Sequence, residues 1–360
     1  MQAAVLRDIP GPLHIEDVQI SKPGPREVLI RTAVAGLCHS DLHFMEGKYP
    51  HPVPAVLGHE SAGVVEAVGD QVVYVKPGDH VITCLSVYCG NCEACLTGHL
   101  SICPNKGDTA RRKGEEPRLK QNGGPMQQFL HLSSFAEQML VHEHALVKVR
   151  EDMPLDRAAL LGCAVVTGLG AVFHTARVEP GSTVAVVGCG GIGLSAIQGA
   201  RIAGAGRIIA VDVVPSKLEL AKKMGATDAL NARELDPVAA IKDLTSGGVH
   251  YSFEAIGTKA TAEQCFFMLR PGGTATIIGM IPVNEKIELP GHAFLPERKI
   301  QGSMMGSNRF RVDMPRFVDL YLDGRLDLDS LISARIGLEQ INDGFTAMKT
   351  GEVARSVIVF

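Results

Sequence analysis

Four cysteines, Cys89, Cys92, Cys95 and Cys103, follow the spacing C-x2-C-x2-C-x7-C. Four thiolates this close together surround one tetrahedral Zn²⁺ and leave no position open, so the expected site is structural. Gly90, Asn91 and Gly98 supply the tight turns the cluster needs. Ferredoxin-type runs space their cysteines differently, which disfavours an iron–sulfur cluster. With nine cysteines and no secretory leader pattern, a reducing compartment and metal are expected rather than disulfides.

A second pattern is Gly188-Cys189-Gly190-Gly191-Ile192-Gly193, which fits G-x-G-x-x-G between an apolar run and an amphipathic stretch. Gly188 makes a tight turn, Gly190 admits a pyrophosphate close to the backbone, and Gly193 lets helix and strand pack closely. The following helix offers free N–H groups and a positive dipole end to phosphates. Asp212 lies 19 residues beyond Gly193, where a carboxylate accepts hydrogen bonds from a ribose. Val213-Val214-Pro215 brings no arginine for a 2′-phosphate, so NAD is expected over NADP.

Of the other cysteines, Cys84, Cys189 and Cys265 sit in apolar surroundings or in the glycine loop and read as core thiols. Cys38 stands in GLCHSD and Cys163 in LGCA, and the triplet Gly58-His59-Glu60 follows 21 residues after Cys38. Cys, His and Cys suit a catalytic zinc with one open position. Spacing alone does not assemble them, because Cys38 and Cys163 are 125 residues apart.

These groups need two kinds of scaffold. Residues 28–35 (VLIRTAVA), 62–68 and 80–83 are β-branched runs broken by Gly, Pro and Asp, which predicts a strand-rich first part. Residues 104–124 are polar with mixed charge and read as a solvated surface loop. Near residue 165 the texture changes. Strands at 183–187, 207–211, 249–254 and 274–278 alternate with helices at 192–203, 216–224 and 261–269, which predicts a parallel sheet covered on both faces. After 299–303 come helices at 315–322 and 339–348 and a last strand at 356–360.

Composition narrows the function. The 360 residues are 46% hydrophobic and 21% charged, enough apolar mass for two domains with sizeable cores. A net charge of −4 gives nucleic-acid binding no electrostatic support, and the lack of Trp disfavours a base-stacking surface. No apolar run is expected to reach the roughly 18 residues of a membrane helix. The expectation is a cytoplasmic protein that binds neither membrane nor nucleic acid.

Taken together, CHSDLH at 38–43, GHE at 58–60, the four-cysteine lobe, LGC at 161–163, GCGGIG at 188–193, GVHYSFEAIG at 248–257 and GEVARSVIVF at 351–360 make a pattern. The chain resembles the zinc-dependent medium-chain alcohol dehydrogenases, most of all the liver-type branch. The resemblance implies a Rossmann doubly wound parallel sheet domain at 165–304. It also implies a mostly β, GroES-like catalytic domain with a zinc lobe, built from 1–164 and 305–360. Two zinc ions per chain are implied, the catalytic one on Cys38, His59 and Cys163, with Glu60 as a possible transient ligand. Asp41 would orient His59, and Ser40 and His43 would relay the proton. Gly188, Gly190, Gly191, Ile192, Gly193 and Asp212 would hold the NAD cofactor. Thr167 and Ile278, with Ile192, would line its nicotinamide, Lys217 its ribose, and His39 and Arg355 its pyrophosphate. The remaining histidines, His14, His51, His80, His99, His131, His142, His144, His174, His250 and His292, belong to no motif and are expected at the surface or satisfied.

The implied activity is interconversion of primary alcohols and aldehydes. Leu85, Phe135, Met304 and Met305 would stand on the substrate wall. Leucine at 85, where liver enzymes often carry phenylalanine, suggests a wide channel and medium-chain or aromatic substrates. The alternative is oxidation of a thiol–formaldehyde adduct. Relatives with that activity carry an arginine just after the fourth lobe cysteine, whereas Gly107 stands here, and Arg111 or Arg112 would serve only if the loop folds back. A homodimer is implied, joined through the edge at 299–304.

Overall fold

The structure, a computed structural model, describes residues 1–350 and 355–360, so 351–354 of the GEVARSVIVF match lie outside the described residues. The chain divides into two compact units, Met1–Cys163 with Arg309–Phe360, and Ala164–Asn308.

The first unit is mostly β. Its main sheet runs in the order Leu146–Lys148, His80–Thr83, Ser61–Val68, Glu27–Gly36, Ser356–Val359, Ala334–Ile336, and Gln138–His142 also pairs with Glu27–Gly36. The ten-residue strand Glu27–Gly36 is its spine. Val28, Ile30, Val65, Val81, Met139, Val141 and Leu146 fill one core beneath it. A second core holds Leu6, Leu37, Leu42, Leu57, Phe129, Phe135 and Phe345.

The 104–124 stretch departs from the solvated loop expected of it. Arg118 is only 6% exposed. Its Nε donates to Glu27 Oε1 at 2.6 Å while Arg111 Nη2 donates to Glu27 Oε2 at 2.5 Å. The burial of Glu27 opposes ionisation, but these guanidinium bonds prevail and hold its carboxyl at about 2. A polar segment is thus folded inward by two arginines around one acid, which a count of charges does not reveal.

The second unit is a six-stranded parallel sheet in the order Asp228–Asn231, Arg207–Asp212, Thr183–Val187, Val249–Glu254, Leu269–Ile277, Lys299–Gly302. In chain order this is 3-2-1-4-5-6, the doubly wound arrangement. Its central strands are continuous apolar runs, as expected where helices cover both faces.

Two expectations are corrected. The helix predicted at 315–322 is Phe310–Leu322, with Pro315 inside its second turn, where proline is less disruptive than in a helix centre. The expectation that no apolar stretch has membrane-crossing length also fails. The helical run Leu155–Ala176 meets that criterion by length and composition, yet 83% of its apolar window is buried within the protein, as in a core helix.

Candidate metal centre and glycine loop

Strand pairing builds the first site. Cys38 follows Glu27–Gly36, and His59 and Glu60 precede Ser61–Val68. These strands are antiparallel neighbours with Ala35 opposite Ser61, and Gly36 N donates to Glu60 O at 2.8 Å. Their adjoining ends therefore bring Cys38 beside His59. Cys163 arrives on the helical run, in its π-helical turn Leu161–Val165. Gly162 makes that approach possible, since a Cβ there would lie 2.7 Å from Thr83 O and 3.3 Å from Ser61 N.

One donor atom each from Cys38, His59 and Cys163 lies within 4.8 Å of the others, and all three residues are buried. Cys163 Sγ is 3.3 Å from His59 Nε2. Zn–S and Zn–N bonds of about 2.3 and 2.05 Å at the tetrahedral angle call for a separation of about 3.5 Å. The donor set fits a zinc ion with a fourth position open.

Asp41 ties the parts together. Its Oδ2 accepts from Cys38 N at 3.3 Å, and its Oδ1 accepts from Gly58 N at 3.2 Å and contacts His59 Nδ1 at 3.0 Å. Nδ1 so engaged leaves Nε2 as the donor for a metal. Burial raises the Asp41 carboxyl and is opposed by His59. The hydrogen bond from Cys163 is the largest influence holding the Cys38 thiol well below its ordinary range, aided by His59 and Arg355. Burial opposes a charge on His59, yet Asp41 and Cys38 raise it well above the ordinary value. A pocket negative enough to hold a proton on a buried imidazole suits a dication.

Glu60 is fully buried, with Arg355 Nε 3.5 Å from its Oε1. Arg355 Nη1 also donates to Leu37 O at 2.7 Å. The arginine expected on a cofactor pyrophosphate is thus engaged beside the metal donors, while His39 is exposed at the start of helix His39–Met45. Ser40 Oγ lies 3.7 Å from Cys38 Sγ, and His43 stands one turn further on the same helix. Burial is the main influence lowering the His43 pKa, followed by Lys48.

The lobe cysteines converge as their spacing predicts. Cys92 Sγ lies 3.4 Å from Cys95 Sγ and 3.8 Å from Cys103 Sγ, and Cys89 Sγ 3.9 Å from Cys95 Sγ. Tetrahedral Zn–S bonds of about 2.3 Å require edges of about 3.8 Å. The backbone N–H of Asn91 leads in lowering Cys89 to about 6. Such N–H···S bonds favour a thiolate.

In the second unit, the glycine loop occupies the point where the strand order reverses, between Thr183–Val187 and Val249–Glu254. Gly188 has φ +98°, and a Cβ at Gly193 would lie 1.7 Å from Gly188 O. Above Gly190 there is open space, and Gly190 caps helix Gly191–Ile202 without a side chain, leaving its first N–H groups for a ligand. Asp212 ends strand Arg207–Asp212, where its Oδ2 accepts from Cys189 N and its Oδ1 from Val213 N, both at 2.7 Å. Lys217 is half-buried on helix Pro215–Lys223, and Ile192 and Ile278 are half-buried too. The loop fits a dinucleotide.

Sequence reasoning missed Glu254. This buried carboxylate accepts from Ile256 N, Gly257 N, Thr261 Oγ1 and Gly279 N, pinning the turns around Ile278. Its signal was a lone acid ending an apolar strand.

The four residues expected on the substrate wall differ in their burial. Leu85 packs at the margin of the first core. Phe135 is fully buried in the second core, with its ring 6.0 Å from Phe345. Met304 is 55% exposed, and Met305 is buried with its Sδ accepting from Thr167 Oγ1. His51, expected to be satisfied or at the surface, is half-buried with its Nε2 buried and unpartnered.

With this geometry in hand, comparisons are informative. The alcohol dehydrogenase GroES-like domain family matches residues 24–151, and the zinc-binding dehydrogenase family matches 191–322. An alcohol dehydrogenase class-3 from Zea mays is 37% identical over 99% of this chain and 96% of its own length. Among solved structures, an alcohol dehydrogenase zinc-binding domain protein from Burkholderia ambifaria has TM-score 0.95 and 38% identity over 100% of this chain and 98% of that one. Benzyl alcohol dehydrogenase from Acinetobacter calcoaceticus has TM-score 0.94 and 33% identity over 100% and 99%. A putative zinc-binding dehydrogenase from Sinorhizobium meliloti, bound to NADP, has TM-score 0.85 and 28% identity over 100% and 99%.

Proposed function

The chain belongs to the zinc-dependent medium-chain alcohol dehydrogenases, and from that premise we propose that it oxidises medium-chain or aromatic primary alcohols with NAD, using two zinc ions per chain. The observation that carries the reading is the buried Cys38–His59–Cys163 donor set braced by Asp41. Zinc in that set would acidify a hydroxyl, and the nicotinamide would accept hydride.

The chain's own residues do the rest. Asp41 fixes the His59 ring so that Nε2 is presented. Cys38 and Cys163 would supply soft thiolate donors to the ion, and Arg355 lies against Glu60 instead of joining the donor set. Ser40 Oγ takes the hydroxyl proton and passes it towards His43 on the same helix face. His43, whose burial lowers its pKa and so favours the neutral, accepting ring, receives it. Glu60, buried against Arg355, stands in reserve as a carboxylate near the donors.

The absence of an arginine near Val213 supports NAD, since a carboxylate at 212 repels a 2′-phosphate. The lobe edges of 3.4–3.9 Å support the second zinc. A homodimer would form through strand Lys299–Gly302, the last in its sheet. Free cysteines throughout the described chain favour the cytoplasm. Against the thiol-adduct reading, Arg111 already donates to Glu27, to Glu116 O and to Lys22 O.

The experiment is a steady-state screen with NAD against ethanol, octanol, benzyl alcohol, a secondary alcohol, and formaldehyde with and without a thiol, with zinc counted in the same sample. Turnover of octanol or benzyl alcohol at two zincs per chain supports the reading. Turnover confined to formaldehyde plus thiol replaces it.

A further inference from the structure

Glu254 ends strand Val249–Glu254, on the opposite side of the glycine loop from Asp212. Its side chain is fully buried. Oε1 accepts from Ile256 N at 2.9 Å and from Gly257 N and Thr261 Oγ1 at 2.7 Å each, and Oε2 accepts from Gly279 N at 3.2 Å. Both oxygens face donors, so the group acts only as an acceptor, as an ionised carboxylate does. Among the described residues no lysine or arginine is paired with it; Lys259, the nearest along the chain, pairs with Glu263 and Glu288. Two turns rest on this carboxylate. Residues 255–257 lie against the glycine loop, since Ala255 N donates to Val187 O at 2.9 Å and a Cβ on Gly188 would come 2.6 Å from Ile256 Cγ1. Ile278 and Gly279 follow strand Leu269–Ile277; Ile278 N donates to Glu254 O at 2.9 Å, and a Cβ on Gly279 would collide with Glu254 Oε2. The charge therefore lies just beneath the C-terminal ends of two neighbouring strands.

In a sheet of order 3-2-1-4-5-6 a dinucleotide crosses the switch point, with one nucleoside on either side. Asp212, at the end of the second strand, marks the adenosine side. The nicotinamide nucleoside then belongs over the ends of the fourth and fifth strands, above Glu254. Holding the two turns calls for acceptors, and the negative charge that comes with them has no cation against it. The oxidised nicotinamide ring carries one positive charge that the reduced ring lacks, and the two cofactors are otherwise alike. A fixed anion in surroundings of low dielectric attracts the first ring and is nearly indifferent to the second.

We propose that Glu254 sets the redox-state preference of the cofactor site: its buried charge strengthens binding of NAD⁺ relative to NADH, and so eases release of the reduced cofactor after alcohol oxidation. This rests on the reading of the glycine loop as a nicotinamide dinucleotide site. Glu254 acts through its field and touches neither cofactor. Two unit charges about 10 Å apart at an effective dielectric of about 20 change an affinity by about tenfold.

The test measures the dissociation constants of NAD⁺ and NADH by titration calorimetry, without alcohol, on the zinc-loaded wild type, Glu254→Gln and Glu254→Asp. Glutamine keeps the shape and loses the charge, whereas aspartate keeps the charge and disturbs the turns. Loosened turns weaken both cofactors, so the quotient Kd(NAD⁺)/Kd(NADH) isolates the charge. Glu254→Gln is expected to raise that quotient about tenfold. Glu254→Asp is expected to leave it within about twofold of the wild type, even where both constants rise. A quotient unmoved in Glu254→Gln overturns the inference and leaves Glu254 a pin for its turns, with the dinucleotide reading intact. A tenfold rise in Glu254→Asp as well also overturns it, because turn geometry and not charge then sets the preference. Should Glu254→Gln fail to fold, Glu254→Ser, which leaves room for water to serve the N–H groups, replaces it under the same criterion. A wild type that binds neither cofactor, nor NADP or NADPH, overturns the dinucleotide reading and the inference together.

Discussion

Asp41→Asn isolates the brace of the metal centre. The carboxylate serves two backbone N–H groups and one imidazole at 3.0–3.3 Å. An asparagine keeps the shape but loses the charge, and its amide nitrogen can accept from none of these three donors. Hydrogen bonds to a charged group contribute about 1.5–3 kcal/mol each, and one is lost outright. The two backbone N–H groups bind different oxygens, so the amide cannot keep both: with its oxygen in place of Oδ2 it keeps Cys38 N and sets its nitrogen against Gly58 N and His59 Nδ1–H, and with its oxygen in place of Oδ1 it keeps those two and sets its nitrogen against Cys38 N. Either orientation removes the charge that steadies His59 with its proton on Nδ1 and Nε2 free for the metal. The expected cost is ten- to a hundredfold in zinc affinity at this site, about 1.4–2.7 kcal/mol. A chelator competition with a colorimetric indicator reads both sites on one sample. The lobe zinc is expected to leave at its wild-type rate, because Asp41 contacts none of the lobe cysteines, while the other zinc leaves faster. Equal release of both zincs from Asp41→Asn and wild type would refute the bracing role.

Four further outcomes follow from the geometry. His43→Gln should slow alcohol oxidation by about a hundredfold near pH 6 and far less above about pH 9, where hydroxyls lose protons more readily; an equal loss in pre-steady-state rates across that range excludes the proton path. The pair Asp212→Gly with Val213→Arg should move the NAD/NADP ratio of kcat/KM towards NADP, and an unmoved ratio sinks the cofactor assignment. Cys103→Ser should leave about one zinc per chain and lower the melting temperature, because three thiolates no longer close the lobe; two zincs retained would contradict a four-thiolate site. Glu27→Gln should destabilise the first unit by up to about 3 kcal/mol at neutral pH, from a carboxyl lowered from 4.5 to about 2. Because the folded value is depressed, that contribution is present above about pH 4.5 and fades as pH falls towards 2. Denaturant unfolding of both proteins at pH 7 and pH 3 reads it, and a gap that widens on acidification has the wrong sign.

What could be read from the sequence was whatever is contiguous. The glycine loop, its flanking strands and Asp212 lie within one stretch of chain, so their order already implies the sheet. The four lobe cysteines fall within fifteen residues and need only local turns to converge. The Cys38–His59–Cys163 set has no such local cause. Two of its members meet because Ala35 pairs with Ser61, and the third because a glycine lets a helix rest on the ends of two strands. Neither fact has a spacing signature, and only family resemblance brought the three together in advance. Arg118, Glu254 and His51 were missed for the same reason. Each was an ordinary charged or ring residue until its partners, supplied from 91, 7 and 78 positions away, were in place. The lesson for the site is physical. A register slip of one residue between Glu27–Gly36 and Ser61–Val68 would turn alternate side chains to the opposite face and separate Cys38 from His59 while leaving every motif intact. The chemistry therefore depends on the strand register at least as much as on the ligands, and the mixed burial along both strands, apolar inward and Arg31 and Glu66 outward, is what fixes that register.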